Sequence, residues 1–303
     1  MTTAVNSTSD IAMGFVDKFR SLFQSSTLDV EGRFESLREA VSGTMSQFHM
    51  ARDRKTGEIF GLKILDIKKT DLFEGRFPGL KKPPEGEIAS QFDHPLIVKT
   101  IAYGKTTRGE PYVLMEFLDG PGMNSLIIER SRKLEGKRGK LIQEMAEALN
   151  VVHKAGYIHR DICPRNFICA KDASSLKLID FGLTVPAKRE FMAPGNRTGT
   201  PNYMAPEIVR RRQTDHRVDL FSLGVTAYQL IAFELPWPGQ DTSGKAAMVH
   251  DTRPPVHLAE AVPKVHPRLA EVIMSCLSVD PGQRPQTVEK FLQQVHGIDS
   301  EYR

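Results

Sequence analysis

Hydrophobic residues along this chain change their spacing twice. After a polar, Ser- and Thr-rich stretch over residues 1–8, Asp10 is placed to cap a short helix. Ile11, Phe15, Phe19, Leu22 and Phe23 would line one face of it. Gly14 weakens that helix, and its polar face is only weakly basic. The expected role of the stripe is therefore to fold back on its own domain, rather than to bind a membrane or a partner helix. From about Arg33 to Met115 the pattern becomes one of short β-like runs, such as Glu58–Leu65 and Tyr112–Glu116. These are separated by turn signals such as Lys55-Thr56-Gly57. After Gly120 the spacing turns helical, first through Leu141, Met145, Ala148, Leu149 and Val152, and later through Leu220, Leu223, Ala227, Leu230 and Ile231. A mostly antiparallel β half followed by a mostly α half is predicted, with no internal repeat and no low-complexity linker between them.

Composition narrows the function classes without choosing among them. Of 303 residues, 40% are hydrophobic and 26% charged, which fits one large or two ordinary globular domains. Lys and Arg total 41 against 37 for Asp and Glu, and a net charge of +4 is too small to call for nucleic acid or a membrane surface. Cys163, Cys169 and Cys276 have no CxxC spacing, so neither a disulfide framework nor a zinc site is expected. No apolar run approaches the roughly 18 residues that span a bilayer, and the first residues lack a basic, then apolar, leader. A cytoplasmic protein with no transmembrane segment is the expectation.

Four short strings carry the chemistry: Lys63 in a strand; His159-Arg160-Asp161 followed by Asn166; Asp180-Phe181-Gly182; and Ala205-Pro206-Glu207. Any one of them is common. In this order and spacing they resemble the protein kinases, over about residues 33–298. The resemblance implies an α+β, two-lobe, protein-kinase-like fold, made of an antiparallel β N-lobe with a C helix (33–118) and a mainly α C-lobe (119–298). Residues 1–32 would form an N-terminal extension and 299–303 a C-terminal end. It also implies a Ser/Thr protein kinase that transfers the γ-phosphate of ATP to protein hydroxyls with Mg²⁺, or alternatively Mn²⁺. Phosphoryl transfer asks a protein mainly for a cation on the phosphates, oxygen ligands for the metal and a base aligned with the acceptor.

By the same resemblance, Lys63 would contact the phosphates and Glu85 would orient it, with Glu87 as the alternative. Asp161 would be the base, and Asn166 and Asp180 the metal ligands. Met115 would be the gatekeeper of a hinge in which Glu116 and Leu118 meet adenine, while Val41, Gly43 and Ser46 fall in the phosphate loop. Asp219 resembles the aspartate that holds the catalytic loop, Glu207 and Arg284 a buried ion pair, and Thr200 a partner of Asp161 in a Ser/Thr-type peptide loop. The same hybrid of features leaves dual specificity open.

Several positions depart from the family pattern. Only Gly43 survives of the three loop glycines, which stiffens a loop whose N–H groups should approach phosphate. Cys163 replaces the usual Lys two residues after Asp161. Arg165 stands where tyrosine kinases place a cation, and could supply the same charge; Cys163 could instead be a redox-sensitive thiol. Pro83-Pro84 force the C helix to begin at Glu85. These features support a second reading, a pseudokinase scaffold that binds nucleotide weakly. A third, a small-molecule phosphotransferase, fits poorly with Glu207 and Arg284. Thr198 is a candidate phosphosite near Arg160, unless Asn196 and Arg197 hold that loop unmodified. Two basic clusters, Arg130 to Lys140 and Arg210-Arg211-Arg212, could dock an acidic partner.

Overall fold

Residues 46–53 and the largely buried run 59–65 make two long strands joined by a tight turn, and this hairpin lies within the sheet of the first unit. The computed structural model describes residues 27–38, 41–42, 46–239, 246–298 and 300–302. The helix expected over 10–23 and the loop residue Gly43 lie outside them. Contacts divide the chain into two compact units. Of the described residues, one holds those up to Gly75 with Pro84–Asp93 and Lys99–Leu118; the other holds Arg76–Pro83, His94–Val98 and those from Asp119 onward. The lobe boundary expected at 118 is thus interleaved, with two short segments of the first half belonging to the second unit.

In the first unit the elements run β1 (Thr27–Leu28), α1 (Val30–Arg33), β2 (Phe34–Ser36), β3 (Val41–Ser42), β4 (Ser46–Asp53), β5 (Ile59–Leu65), α2 (Ile67–Glu74), α3 (Glu85–Ala89), β6 (Thr100–Thr106) and β7 (Pro111–Glu116). Seven strands form one sheet in the order β1-β6-β7-β5-β4-β2, with β3 also on β4. All pairs are antiparallel except β1 on β6, which is parallel. The sheet therefore reaches back before residue 33. Asp53 accepts from Lys55 N at 2.7 Å and from the Arg33 guanidinium at 2.7 Å, which closes the β4–β5 turn and ties α1 to it. Leu28, Phe34, Phe60, Leu62, Ile101, Tyr112 and Leu114 fill the core beneath.

The second unit continues with α4 (Met123–Ile128), α5 (Arg138–Lys154), β8 (Tyr157–Ile158), β9 (Phe167–Cys169), β10 (Leu176–Leu178), β11 (Val185–Pro186), α6 (Pro206–Val209), α7 (Arg217–Ala232), α8 (Leu258–Ala261), α9 (Pro267–Cys276) and α10 (Val288–Val295). Helix α7 is buried on nearly every face, as its apolar run requires. Gly224 lets α9 come close, since a Cβ there would lie 2.5 Å from Cys276 Cβ. Two small antiparallel pairs, β8 with β11 and β9 with β10, present the loops 159–166 and 179–184. No helix among the described residues is long and apolar enough to cross a membrane.

Residues after 298 are also built into this unit. The Glu301 carboxylate is fully buried and accepts from Gly136 N at 2.9 Å, Arg138 N at 3.2 Å and Arg138 Nε at 2.8 Å, so it caps α5 from a distant part of the chain. Arg138 also bonds the Ile231 carbonyl at 2.8 Å and lies over the rings of Phe233 and Tyr302. Breaking a buried pair on one side strands the other charge. Glu301→Ala is expected to destabilise the protein by about 3–5 kcal/mol, read as a fall in the urea midpoint, whereas exposed Glu271→Ala should leave the midpoint nearly unchanged.

Candidate active site

In the first unit, β5 points Lys63 into the interior opposite Val113 of β7. Its Nζ lies 2.6 Å from Glu85 Oε1, with both side chains more than nine-tenths buried. Glu85 is the first residue of α3, and Pro84 precedes it as the cap residue. The pair forms because the prolines start the helix there, not in spite of them. Glu87 is exposed, which removes the alternative. Met115 is buried at the end of β7, and Glu116 N donates to the Lys99 carbonyl at 3.0 Å while its side chain accepts from Lys99 N at 2.8 Å. Leu118 is the last residue of this unit. Val41 is paired with Phe48 in a hairpin, and Ser46 pairs with Leu65 across β4 and β5.

In the second unit, a web of hydrogen bonds holds Asp161. Thr200 donates to Oδ1 from both its N, at 2.9 Å, and its Oγ1, at 2.7 Å. Asn166 Nδ2 donates to Oδ2 at 3.0 Å and to the Asp161 carbonyl at 2.7 Å. Beneath the loop, buried Asp219 accepts from His159 N at 2.8 Å, Arg160 N at 2.7 Å and the His153 ring at 2.8 Å. Burial alone would raise the Asp219 carboxyl, but the hydrogen bonds from His153 and from the Arg160 backbone carry it below the usual aspartate range. Arg160 takes φ of 68°, a left-handed turn that an L residue adopts only when held there. Asp180 accepts from Gly182 N at 2.8 Å, and Phe181 is buried against the His159 ring, with centroids 5.4 Å apart.

The loop after Gly199 is fastened at successive points. Gly199 has φ of 127°, and a Cβ there would meet the Arg160 carbonyl at 2.9 Å, so glycine is required. Ser222 Oγ donates to the Tyr203 carbonyl at 2.7 Å, and His250 Nδ1 donates to the Met204 carbonyl at 2.8 Å. The His250 ring stacks on Trp237 at 4.3 Å. Arg284 grips Glu207 through two bonds of 2.7 and 2.9 Å, both side chains being buried. His250 escapes sequence reading, because it lies 46 residues from its partner and in no motif. Just before this loop, Arg160 Nη2 donates to the Asn196 carbonyl at 3.5 Å and Arg76 to the Arg197 carbonyl at 3.2 Å, while Thr198 is buried.

One sequence expectation changes. Cys163 is buried beside Asp161, and burial first, then the Asp161 charge, pushes its thiol up to about 12. It is therefore protonated at neutral pH and is not a redox-sensitive thiolate. The first basic cluster bonds within its own unit, yet Arg130, Arg132, Lys133 and Lys140 stay exposed and Lys137 half-buried. Lys133, Lys137 and Lys140 donate to the carbonyls of Lys171, Asp172 and Ser174; Arg130 pairs with Glu234 and Arg138 with Glu301. In the second cluster Arg210 pairs with Asp251. Arg165, in contrast, is exposed and donates to Thr200 Oγ1 at 3.1 Å, next to Asp161. Cys169 and Cys276 are buried as well, with thiols likewise raised to about 12 by burial. Native protein at pH 7.5 is thus expected to take up no N-ethylmaleimide by intact mass, and three equivalents once unfolded; rapid native labelling of Cys163 would contradict this.

Comparison with known proteins gives the same direction. The family described as "Protein kinase domain" matches residues 34–296. The chain is 28% identical over 270 residues to serine/threonine-protein kinase pkn3 of Myxococcus xanthus, covering 86% of this chain and 49% of that protein. It is 30% identical over 261 residues to serine/threonine-protein kinase PknB of Mycolicibacterium smegmatis, covering 82% and 40%. It is 30% identical over 256 residues to serine/threonine-protein kinase PAK mbt of Drosophila melanogaster, covering 84% and 38%. The chain therefore spans half or less of the length of these curated relatives. A β-sheet unit bearing the Lys63–Glu85 pair, a helical unit bearing Asp161, Asn166 and Asp180, and a domain match over 34–296 together place this chain in the protein kinase superfamily.

Proposed function

We propose that this chain is an active, ATP-dependent Ser/Thr protein kinase, with residues 33–298 as its catalytic domain. One observation carries the reading: the Asp161 carboxylate is already held by Thr200 and Asn166. A carboxylate offers about four lone-pair directions, and three are taken here. The remaining one, on Oδ2, is left for the hydroxyl of an acceptor, which Asp161 would orient and relieve of its proton.

The other residues divide the remaining tasks. Lys63, fixed by Glu85, would bind the α- and β-phosphates of ATP, while the hinge at Glu116 and Leu118 would hold adenine. Val41, Gly43 and Ser46 would lie over the phosphates. Asn166 and Asp180 supply hard oxygen donors, and no cluster of three His, Cys, Asp or Glu side chains suited to a metal occurs among the described residues. That donor set fits Mg²⁺, or Mn²⁺, which commonly takes one or two protein oxygens and completes its shell with phosphate and water. When bound, the ion would neutralise charge on the β- and γ-phosphates. Arg165 would place a positive charge beside Asp161, where Cys163 supplies none. The peptide loop with Thr200 on Asp161 supports Ser/Thr acceptors. The exposed Arg130, Arg132, Lys133 and Lys140, with Arg211 and Arg212 of the second cluster, would be the charges open to an acidic docking partner.

The test is transfer of radiolabelled γ-phosphate from MgATP to a generic Ser/Thr protein substrate. Asp161→Asn is expected to lower kcat by about a hundredfold or more, with folding intact by circular dichroism. Equal signals from both proteins would mean that the reading is wrong and the scaffold reading stands. Arg165→Ala should lower the single-turnover rate by about ten- to a hundredfold, less than a fully enclosed charge would, because the side chain is exposed. No change in that rate would remove Arg165 from the mechanism.

A further inference from the structure

Helix α3 is only five residues long, Glu85–Ala89, yet it must present the Glu85 carboxylate to Lys63. Its start has no side-chain cap, because Pro84 occupies that position. Its second residue is Gly86, which within a helix costs about 1 kcal/mol relative to alanine. A helix this short is marginal even with good formers, so its placement must come from packing. Ile88 and Ala89 are buried, and Gly86 lies flat against β6.

The contact leaves no space. A Cβ built on Gly86 would lie 2.3 Å from Tyr103 Cβ, 2.6 Å from its Cγ and 3.0 Å from Cδ2. The nearest obstructing atom, Cβ, is the root of the Tyr103 side chain and moves only with the β6 backbone. Tyr103 pairs with Val113 of β7, which in turn pairs with Lys63 of β5. The strand that limits the approach of α3 is thus in the same sheet as the lysine that α3 serves. Restoring an ordinary contact of about 3.4 Å moves the helix away by about 1 Å. The Lys63–Glu85 separation of 2.6 Å would then exceed hydrogen-bond reach.

From this juxtaposition we propose that Gly86 is a positioning residue: the absence of a side chain there, against Tyr103, seats α3 closely enough for Glu85 to hold Lys63. Neither residue touches the nucleotide. The inference rests on the reading that the Lys63–Glu85 pair serves the phosphates of ATP. Misplacement by 1 Å far from the reacting atoms can cost on the order of a hundredfold in rate.

Purified full-length variants test it with two readouts besides activity, namely the Kd for MgATP by calorimetry and amide exchange of Ile88 and Ser90, whose N–H groups close α3. Gly86→Ala is expected to raise Kd about tenfold or more and to speed exchange at both amides. Adding Tyr103→Gly, which removes the obstructing Cβ, should bring both readouts back to within about twofold of the Tyr103→Gly protein alone. In a Glu85→Ala background, Gly86→Ala should cost nothing further in Kd, because both changes would cut the same link. An equal cost in both backgrounds, or no recovery with Tyr103→Gly, overturns the proposal. If Gly86→Ala alone yields no folded protein, recovery of folded protein by Tyr103→Gly supports it and failure to recover overturns it. If Glu85→Ala leaves MgATP binding and turnover unchanged, the reading of the ion pair fails instead; a harmless Gly86→Ala beside a harmful Glu85→Ala defeats this proposal alone.

Discussion

One buried carboxylate holds the chemistry-bearing loop of this protein in shape. Asp219 sits at the start of α7, the most deeply buried helix, and accepts the backbone N–H groups of His159 and Arg160 together with the His153 ring. Two adjacent amides aimed at one carboxylate dictate the path of the chain through Arg160, including its positive φ. Asp161 is thereby directed to Thr200 and Asn166. A charge with no exposure is costly unless fully hydrogen-bonded, and here three donors meet it. The loop is therefore held from below, by a helix.

The same logic recurs at the other fixed points. Glu207 and Arg284 are mutually satisfied in a dry setting, with Arg284 over the Phe221 ring at 5.0 Å. Lys63 and Glu85 form a second buried pair on the sheet. Each is an expensive arrangement to desolvate and each is geometrically demanding, so each fixes a position more than it adds net stability. Cys163 and Arg165 show how a departure from the family pattern is accommodated. The small Cys163 is buried beside Asp161, and exposed Arg165 bonds Thr200 Oγ1, the same hydroxyl that donates to Asp161.

Much of this was legible in the sequence, since motifs encode local geometry and spacing. Lys63, Asp161, Asn166, Asp180, Asp219 and the Glu207–Arg284 pair all fall where the strings place them, and the β-then-α order follows from hydrophobic period. What remained illegible depends on long-range packing. The parallel pairing of the edge strand Thr27–Leu28 with β6 joins residues seventy-odd positions apart. Glu301 caps α5 across 163 residues, and His250 meets Met204 across 46. Composition likewise cannot show that Lys133 and Lys140, in the basic run from Arg130 to Lys140, bond the carbonyls of Lys171 and Ser174 from the surface. Gly86 reads as a weak point in a helix, and only the position of Tyr103 gives it a purpose.

The central claim is that these parts act together on one nucleotide to move its γ-phosphate. A single turnover measures this most directly, with enzyme and a Ser/Thr protein substrate in excess over MgATP and with ADP and phosphoprotein quantified in the same quenched samples. The account predicts that both products appear together and in equal amounts with the unmodified protein, and that neither appears with Asp180→Asn. Binding of MgATP by the unmodified protein with no conversion to either product would contradict it.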